Sequence, residues 1–356
     1  MRRFSVRSLS VLVFAMLFVP GCSDLDISFD TGTDTATTEE SPETPPAQTA
    51  PPAAPQRPEP EPPAAPTAES VLAAIQSKKM FEVTDADLLK FNELDSGLEV
   101  VTELSLKGAA LSQAGLKVLA DLPALTTVDL EGARVNDAGW MGLAGATQLQ
   151  WLNLHKSSIS NTSMEALSGM DQLRYLDISE TRVTEPGFVH MANMSSLEEL
   201  NLDKLKIEGG GMEFLGDEGA KAPLRIVNAS GTMFGALGFV HIGDFAGLEK
   251  LVVLNASVTD DSLSGLKKCR SLRHLNLSAN NYVSDQGLKI LSRLKSLEFL
   301  RLNGVQRISD VGLKGLGKLK SLRELHINDS ACTEEGAERF KKAVPDCRLY
   351  LRNNEY

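Results

Sequence analysis

The sequence predicts an α/β solenoid, in which short parallel strands alternate with helices along one elongated domain. Three observations predict it: a fixed period, a strand-like start to each copy, and a helix-like end. Similar segments follow one another every 24 or 25 residues from Val101 to Cys347. A period of this length is typical of stacked supersecondary units, which bury a core only against their neighbours. Such arrays offer long surfaces, so a binding face is expected before an active site.

The first 21 residues predict export. Arg2 and Arg3 precede an apolar run over 11–19, which is far shorter than the roughly 20 residues of a spanning helix. The segment from Val19 to Cys22 resembles a bacterial lipobox, so Cys22 is expected to carry the lipid of an anchored envelope protein. Ser23 favours the outer membrane of a bacterium that has one. The alternative is an ordinary signal peptide in which Cys22 is a free thiol.

Residues 22–67 are predicted to form a disordered tether between the anchor and the repeats. The segment is acidic, contains eleven prolines between Pro42 and Pro66, and has almost nothing apolar to bury. Its proline-rich half is expected to be extended and semi-rigid. Proline-rich segments can also bind aromatic-lined grooves, but a spacer that lifts the domain off a membrane is favoured.

Residues 68–100 are predicted to be a helical N-terminal cap that covers the core of the first repeat. A cap is required because an open end of the array would expose apolar residues. The apolar residues fall on two predicted helices, with Val71, Leu72 and Ile75 on the first and Leu88, Leu89, Phe91 and Leu94 on the second.

Ten repeats are predicted over 101–346, followed by a final strand and tail over 347–356. In Leu149-Gln-Trp-Leu152-Asn-Leu154 the last two leucines lie two positions apart, on one face of a strand. A polar residue then often opens a helix, and leucines recur at helical spacing. The first apolar position recurs at spacings of 24 four times, then 27, 24 and 24, then 25 three times. The longest unit has its extra residues within Gly216 to Pro223.

A small residue stands near the start of each predicted helix, where it is expected to let neighbouring helices approach closely. Eight units have glycine and two have serine. The residues are Gly115, Gly139, Ser163, Gly187, Gly211, Gly238, Ser262, Gly287, Gly312 and Gly336.

These motifs resemble the cysteine-containing subtype of the leucine-rich repeat family over about 250 residues. The resemblance implies a horseshoe or arc with parallel strands on the concave face and helices on the convex face. Crossovers between strands are expected to be right-handed. The sequence lacks the continuous asparagine ladder of that family. The turn position is instead expected to be satisfied locally, in particular by Thr181, Thr232, Asn280 and Ser330.

Polar residues form a column on the predicted concave face, between two buried strand positions. Neighbouring strands are about 4.8 Å apart, so these side chains can bond along the column or bond a ligand. Both readings stay open for the candidate binding residues Asp129, Asn153, Asp177 and Asn201.

Trp151 and Tyr175 are predicted to stand side by side on neighbouring strands, with His155 and Arg174 close by. Large amphipathic aromatic residues are typical anchors of binding interfaces. The sequence therefore predicts a protein-binding or peptide-binding site here. The alternative is an aromatic pair that only stacks on itself.

The C-terminal third of the chain is basic, with 17 Lys and Arg against 9 Asp and Glu over residues 264–348. Cations are favoured at helix C-termini, which makes a solvated helix end the first explanation. The sharper hypothesis is a patch that binds anionic headgroups, wall polymer or the acidic tether of the chain itself. Its residues would be Lys267, Lys268, Lys295, Lys318 and Lys320.

The remaining residue types indicate no catalytic machinery. Cys269, Cys332 and Cys347 occupy columns otherwise held by large apolar residues, so we expect core thiols rather than disulfides or metal ligands. The five histidines are scattered over different units. We expect no enzyme activity, cofactor or metal. An exported chain with a net charge of −11 is also a poor ligand for nucleic acid.

The sequence as a whole predicts a monomeric, non-enzymatic scaffold of the cell envelope, which touches the membrane only through its lipid and binds an unidentified protein or peptide. The first alternative is a structural envelope protein that binds wall polymer or headgroups through its basic third. The second follows from a resemblance of the repeats to the substrate receptors of F-box proteins. No F-box is recognisable in 68–100, and the export signal argues against that role.

Overall fold

The computed structural model describes residues 65–79, 81–215 and 222–356. The predicted signal peptide, Cys22 and nearly all of the predicted tether lie outside the described residues, as does most of the predicted extra loop at 216–223. None of the helices in the described ranges is long and apolar enough to cross a membrane.

The described repeats form one sheet in which the strands follow chain order. The first eleven strands are parallel, and β12 turns back antiparallel on β11. In each of the three-residue strands the middle residue is buried, and so is the residue that follows the strand, as Leu104 and Leu106 are at β1. The strands are β1 Glu103–Ser105, β2 Thr127–Asp129, β3 Trp151–Asn153, β4 Tyr175–Asp177, β5 Glu199–Asn201, β6 Ile226–Asn228, β7 Lys250–Val252, β8 His274–Asn276, β9 Phe299–Arg301, β10 Glu324–His326, β11 Arg348–Leu351 and β12 Asn354–Glu355.

The sheet register confirms the unequal repeat lengths, apart from the last one. Leu200 on β5 pairs with Val227 on β6, which confirms the 27-residue unit. At the end, Cys347 keeps the expected spacing of 25 from Leu322, because both are buried and each donates its N–H to the carbonyl three residues before it. The strand positions do not keep that spacing, since Leu325 pairs with Leu349, 24 residues on. In the observed register Leu349 and Leu351 are buried while Tyr350 stays partly exposed. Burying two leucines instead of one tyrosine favours this alignment.

Helical segments connect the strands, and both α-helices and 3-10 helices occur among them. The α-helices α3, α6, α7 and α8 all begin after a serine or threonine whose hydroxyl accepts a backbone N–H. The segments at 139–145, 163–167, 185–191 and 262–268 are 3-10 helices. A cap bond alone does not decide the type, because Asn136 Oδ1 accepts the N–H of Gly139 at 2.7 Å and α5 has no side-chain cap. The α-helices are α1 Ala68–Gln76, α2 Asp85–Leu88, α3 Gln113–Asp121, α4 Met212–Leu215, α5 Gly238–Ile242, α6 Asp285–Leu291, α7 Asp310–Leu316 and α8 Glu334–Ala343.

The core is one continuous apolar column between sheet and helices. The three described cysteines are free and almost fully buried within it, as the repeat register predicted. Burial raises the pKa of Cys269 and Cys332 to about 11 and that of Cys347 to about 12. These thiols are therefore neutral packing groups. Trp140 is also fully buried, and its indole Nε1 has no acceptor among the described residues.

Polar side chains complete the hydrogen bonds of the turns locally, as expected from the missing asparagine ladder. Thr181 Oγ1 donates to the carbonyl of Ile178 at 2.6 Å, and Thr232 does the same for Ala229 at 2.7 Å. Asn280 is fully enclosed and serves two repeats, because its Oδ1 accepts the N–H groups of Ala256 and Val258 at 3.0 Å.

Carboxylates link several of the helix starts to the preceding repeat. Asp310, at the start of α7, accepts the backbone N–H of Thr333 at 2.8 Å and its hydroxyl at 2.7 Å. Asp285 and Asp260 do the same for Ser309 and Ser284. Each bond satisfies backbone groups that a helix N-terminus leaves unpaired.

The glycine column has a more specific cause than the expected approach of neighbouring helices. A Cβ on Gly115, Gly287, Gly312 or Gly336 would collide with the capping carboxylate of the preceding repeat. For Gly115 that carboxylate is Asp85 of the N-terminal segment, which accepts the N–H of Ser112 at 2.9 Å. Glycine is therefore needed here to admit the carboxylate.

Candidate binding surface

The solvent-facing side of β1–β11, called the sheet surface here, carries two columns of side chains. They flank the buried middle residue of each strand, as the alternation of strand side chains requires. The first column is Glu103, Thr127, Trp151, Tyr175, Glu199, Ile226, Lys250, His274, Phe299, Glu324 and Arg348. The second column is Ser105, Asp129, Asn153, Asp177, Asn201, Asn228, Val252, Asn276, Arg301, His326 and Tyr350.

Trp151 and Tyr175 form a stacked pair in the first column. They are direct partners in the parallel ladder, and their ring centroids are 4.8 Å apart with an interplanar angle of 8°. The Tyr175 hydroxyl donates to Asp177 Oδ2 at 3.4 Å. Burial and the neighbouring Asp177 carboxylate raise the pKa of Tyr175 to about 12, so the phenol stays neutral. The pair offers a rigid, partly exposed aromatic platform.

Two more stacks lie on the second half of the sheet, and the sequence reasoning missed both. His274 stacks on Phe299 at 4.3 Å and 7°, and His326 stacks on Tyr350 at 4.4 Å and 16°. The repeat alignment already placed His274 and Phe299 in one column, so that signal was present. The second stack depends on the shifted register of β11, which the sequence did not reveal.

The polar residues of the second column bond mainly to one another. Asn153 Nδ2 donates to Asp129 Oδ1 at 3.0 Å, and Asn201 Nδ2 donates to Asp177 Oδ2 at 2.7 Å. Each also uses an oxygen to accept the backbone N–H two residues further on, as Asn153 does for His155 at 2.9 Å. A self-bonded ladder therefore describes this part of the column, and it positions the strands and their aromatic neighbours.

Asp177 illustrates how fully these groups are occupied. It is 7% exposed. Its carboxylate accepts the backbone N–H of Ser179 at 2.8 Å and the Ser179 hydroxyl, in addition to Asn201 and Tyr175. Asp177 thus holds Tyr175 in place and offers little free surface to a partner.

His155 and Arg174, the other two predicted contacts, lie at the two sides of the aromatic pair. The His155 Nδ1 lies 2.7 Å from Ser179 Oγ. The Arg174 guanidinium pairs with Glu198 at 2.6 Å and is mostly exposed. Arg174 remains available to a partner, whereas one ring nitrogen of His155 is already engaged.

A row of alternating charges runs along the edge of the sheet surface, one position before the first column, and was not predicted. Arg225 pairs with Glu249 at 3.0 Å and Arg273 with Glu298 at 2.8 Å. The arginines are more than half exposed, so each pair contributes little stability by itself. The row consists of Arg174, Glu198, Arg225, Glu249, Arg273, Glu298 and Arg323.

Comparison with known proteins agrees with this architecture. A family model described as leucine rich repeat matches residues 147–207, and a second one matches residues 268–292. The chain is a leucine-rich repeat protein. The crystal structure of an internalin from Listeria monocytogenes is similar, with a TM-score of 0.50 and 18% identity. The match covers 79% of this chain and 93% of that one and shows the fold alone. No curated protein sequence matches the chain.

A shallow depression of about 340 Å³ lies on the sheet surface of this leucine-rich repeat protein, over β7–β9. It surrounds the His274–Phe299 stack and is bounded by Lys250 and Arg301. Burial, and then the nearby Lys250 charge, lower the pKa of His274. The imidazole is therefore a neutral aromatic surface at physiological pH.

The lysines of the basic C-terminal third lie on the helix side of the repeats, and several of them bond backbone carbonyls there. Lys295 Nζ donates to the carbonyls of Ser292 and Lys318 at 2.8 and 3.3 Å. Lys320 Nζ donates to the carbonyl of Ala343 at 2.6 Å, and Lys268 pairs with Asp244 at 3.4 Å. Lys267 and Lys318 have no side-chain partner among the described residues. Much of the patch thus caps helix ends in the leucine-rich repeats.

Within the described ranges, no three His, Cys, Asp or Glu side chains gather closely enough to hold a metal ion. The histidines of the sheet surface are instead used in stacks or hydrogen bonds, such as His326 with Glu324 at 2.6 Å. The geometry offers aromatic and charged surfaces for binding.

Proposed function

We propose that the protein is an exported, lipid-anchored scaffold of the cell envelope, which binds an extended protein or peptide across its sheet surface. The Trp151–Tyr175 stack would be the anchor. The observation that carries this proposal is the stack itself: two rings lie face to face in nearly parallel planes, partly exposed amid a self-bonded polar ladder. Rigid aromatic groups surrounded by satisfied polar groups are typical of the energetic centres of interfaces.

The surroundings favour a partner with basic or amide groups at this anchor. Asp129 and Glu199 lie near the stack, since both carboxylates contribute to the raised pKa of Tyr175. A cationic side chain over a tryptophan face gains additional attraction from the ring. We therefore expect a polypeptide with an apolar or basic residue at this point.

Binding can be tested through the fluorescence of Trp151. The chain has two tryptophans, so Trp140→Phe leaves Trp151 as the only one. A photo-crosslinking residue at Glu199 would capture the partner in whole cells, and the purified partner should then change the Trp151 emission. Replacing Trp151 and Tyr175 by alanine removes this reporter, so the affinity of that variant is measured by the anisotropy of the labelled partner. Binding should weaken by about 30-fold or more, as expected for aromatic anchors.

The matched control is Tyr282→Ala, which removes another exposed aromatic ring outside the two columns. It should leave binding unchanged. If the double alanine variant binds the crosslinked partner as tightly as the parent chain, the stack is not the anchor.

The proposed attachment of a lipid rests on the Val19–Cys22 motif and is tested separately. Cys22→Ala should move the protein from the membrane fraction to the soluble fraction, since stable anchoring requires acyl chains. Unchanged membrane association of this variant would contradict the lipobox assignment.

A second candidate function is the binding of wall polymer or anionic headgroups by the helix side. It is favoured by Lys267 and Lys318, because the ammonium groups of these two patch lysines make no hydrogen bond or ion pair within the described part of the chain. It predicts sedimentation with anionic vesicles or purified wall that falls with salt and with Lys267→Gln/Lys318→Gln. Equal sedimentation of the variant and the parent would exclude it.

A further inference from the structure

We propose that the β7–β9 depression is a second binding subsite, which takes the carboxylate side chains of an acidic segment of an extended polypeptide. The inference rests on the proposed function, because it assumes a polypeptide that lies across the sheet surface. It specifies that this partner carries an acidic segment, which binds well away from the Trp151–Tyr175 anchor.

The subsite is a grid of six adjacent side chains on three strands. Lys250, His274 and Phe299 are ladder partners in the first column, and the second column places Val252, Asn276 and Arg301 beside them. The stacked rings and Val252 form an apolar floor, whereas Lys250, Asn276 and Arg301 supply N–H donors. An acidic side chain has the matching composition, with a methylene stem and a terminal carboxylate.

The polar ladder is interrupted here, which leaves a donor free. Where Asp129 and Asp177 accept the amide N–H groups of Asn153 and Asn201, the corresponding neighbour of Asn276 is Val252. Asn276 Oδ1 accepts the N–H of Ser278 at 3.0 Å, but its Nδ2 has no acceptor among the described residues. A ligand carboxylate would take the place that an aspartate occupies elsewhere in the column.

The two cations of the subsite are only weakly neutralised by neighbouring carboxylates. Lys107 and Lys204 have a carboxylate oxygen within 3.2 Å, but Lys250 has none within 4.0 Å in the described ranges. Arg301 reaches only Glu324, at 3.6 Å. Glu324 is already shared with His326 at 2.6 Å and with Arg348 at 3.0 Å, so it neutralises Arg301 poorly.

The Trp151–Tyr175 stack and the β7–β9 subsite differ in the charges around them, and this difference should select different segments of the partner. The Trp151–Tyr175 stack lies near Asp129 and Glu199, which disfavour an acidic segment there. Glu249 and Glu298 flank His274, but the subsite itself holds Lys250 and Arg301, which attract such a segment. The two stacks are five strands apart along the first column, or about 24 Å at about 4.8 Å per strand. An extended segment of roughly seven residues spans that distance.

The test uses hexaglutamate, acetylated at its N-terminus, amidated at its C-terminus and labelled for fluorescence anisotropy, with the full chain in non-ionic detergent. We expect saturable binding at low ionic strength that hexaglutamine does not show. Lys250→Gln/Arg301→Gln should weaken binding by about tenfold or more, because it removes both cations. Lys267→Gln/Lys318→Gln removes two charges from the helix side and should change the affinity by less than about twofold.

Three results would overturn the proposal: no binding of hexaglutamate, equal losses in the two double variants, or equally tight binding of hexaglutamine with a free C-terminal carboxylate. The last would show that the subsite reads chain ends. Failure of the proposed function gives a different result. If that function is wrong, the variant with Trp151 and Tyr175 replaced by alanine still captures the cellular partner. Hexaglutamate binding should be intact in this variant in either case.

Discussion

Gly336→Ala should change the stability of the last repeat with opposite sign depending on whether Asp310 is present. A Cβ on Gly336 would overlap the Asp310 carboxyl group and lie 2.8 Å from its Oδ2. The three heavy atoms nearest to that Cβ all belong to the Asp310 side chain. The same carboxylate holds the start of α8 through Thr333 and also bonds Arg339 at 2.9 Å.

The magnitude follows from opposing contributions. Alanine in a helix is favoured over glycine by about 1 kcal/mol. In the parent chain this gain is outweighed by overpacking of about 1–3 kcal/mol and by loss of a cap worth about 0.5–2 kcal/mol. We expect a net destabilisation of about 1–3 kcal/mol. With Asp310→Ala the collision is gone, and Gly336→Ala should stabilise α8 by up to about 1 kcal/mol.

Hydrogen exchange of peptides covering α8 is the suitable assay, because it measures local opening and does not require the whole array to unfold in one step. The four chains of the double-mutant cycle are compared. Gly315→Ala is the control, since a Cβ at this α7 position meets nothing within 4 Å and should be tolerated in both backgrounds. If Gly336→Ala has the same effect with and without Asp310, the carboxylate does not explain the glycine column.

Three further predictions concern the core and its response to pH. Trp140→Phe should change the free energy of unfolding by less than about 1 kcal/mol, because removal of an unpaired buried N–H offsets the lost packing. Trp140→Ala should lower it by about 3–5 kcal/mol. Both values are measured by denaturant titration. The three core thiols should react with Ellman's reagent only after denaturation, and a fourth thiol would indicate an unmodified Cys22. Hydrogen bonds from Lys107 and His326 lower the pKa of Glu131 and Glu324, respectively, below the usual 4.5. The stabilisation by these two carboxylates is therefore complete above pH 4.5 and is lost as the pH falls through the lowered pKa values. A melting temperature that stays constant down to about pH 2 would contradict this.

The sequence predicted the parts of the structure that burial dictates. Apolar residues recur in register because every unit must bury the same positions, and this recurrence places the cysteines in the core and Trp151 beside Tyr175. Features that depend on side chains from two units were harder to predict. The free amide of Asn276 exists because its neighbour is Val252, and the His326–Tyr350 stack depends on a one-residue shift of β11.

The helix types were also beyond the repeat pattern. The same apolar spacing serves both α and 3-10 segments, and side-chain caps occur at both, as at Ser284 before α6 and Asn136 before the segment at 139–145. A serine or threonine in the sequence does not show whether its oxygen reaches a backbone N–H. Thr184, for example, precedes a 3-10 segment and makes no side-chain cap bond there.

The capping carboxylates give the array a direction. The group that completes a helix start lies in the preceding unit, as Asp285 does for Ser309 and Asp310 for Thr333. Loss of a unit from the C-terminal end leaves an aspartate in water, where a charge is well solvated. Loss from the N-terminal end strips the next helix of its acceptor and leaves N–H groups unpaired. Unravelling should therefore spread more readily towards the C-terminus, and Asp85 in the segment before the first repeat acts as a stop against it.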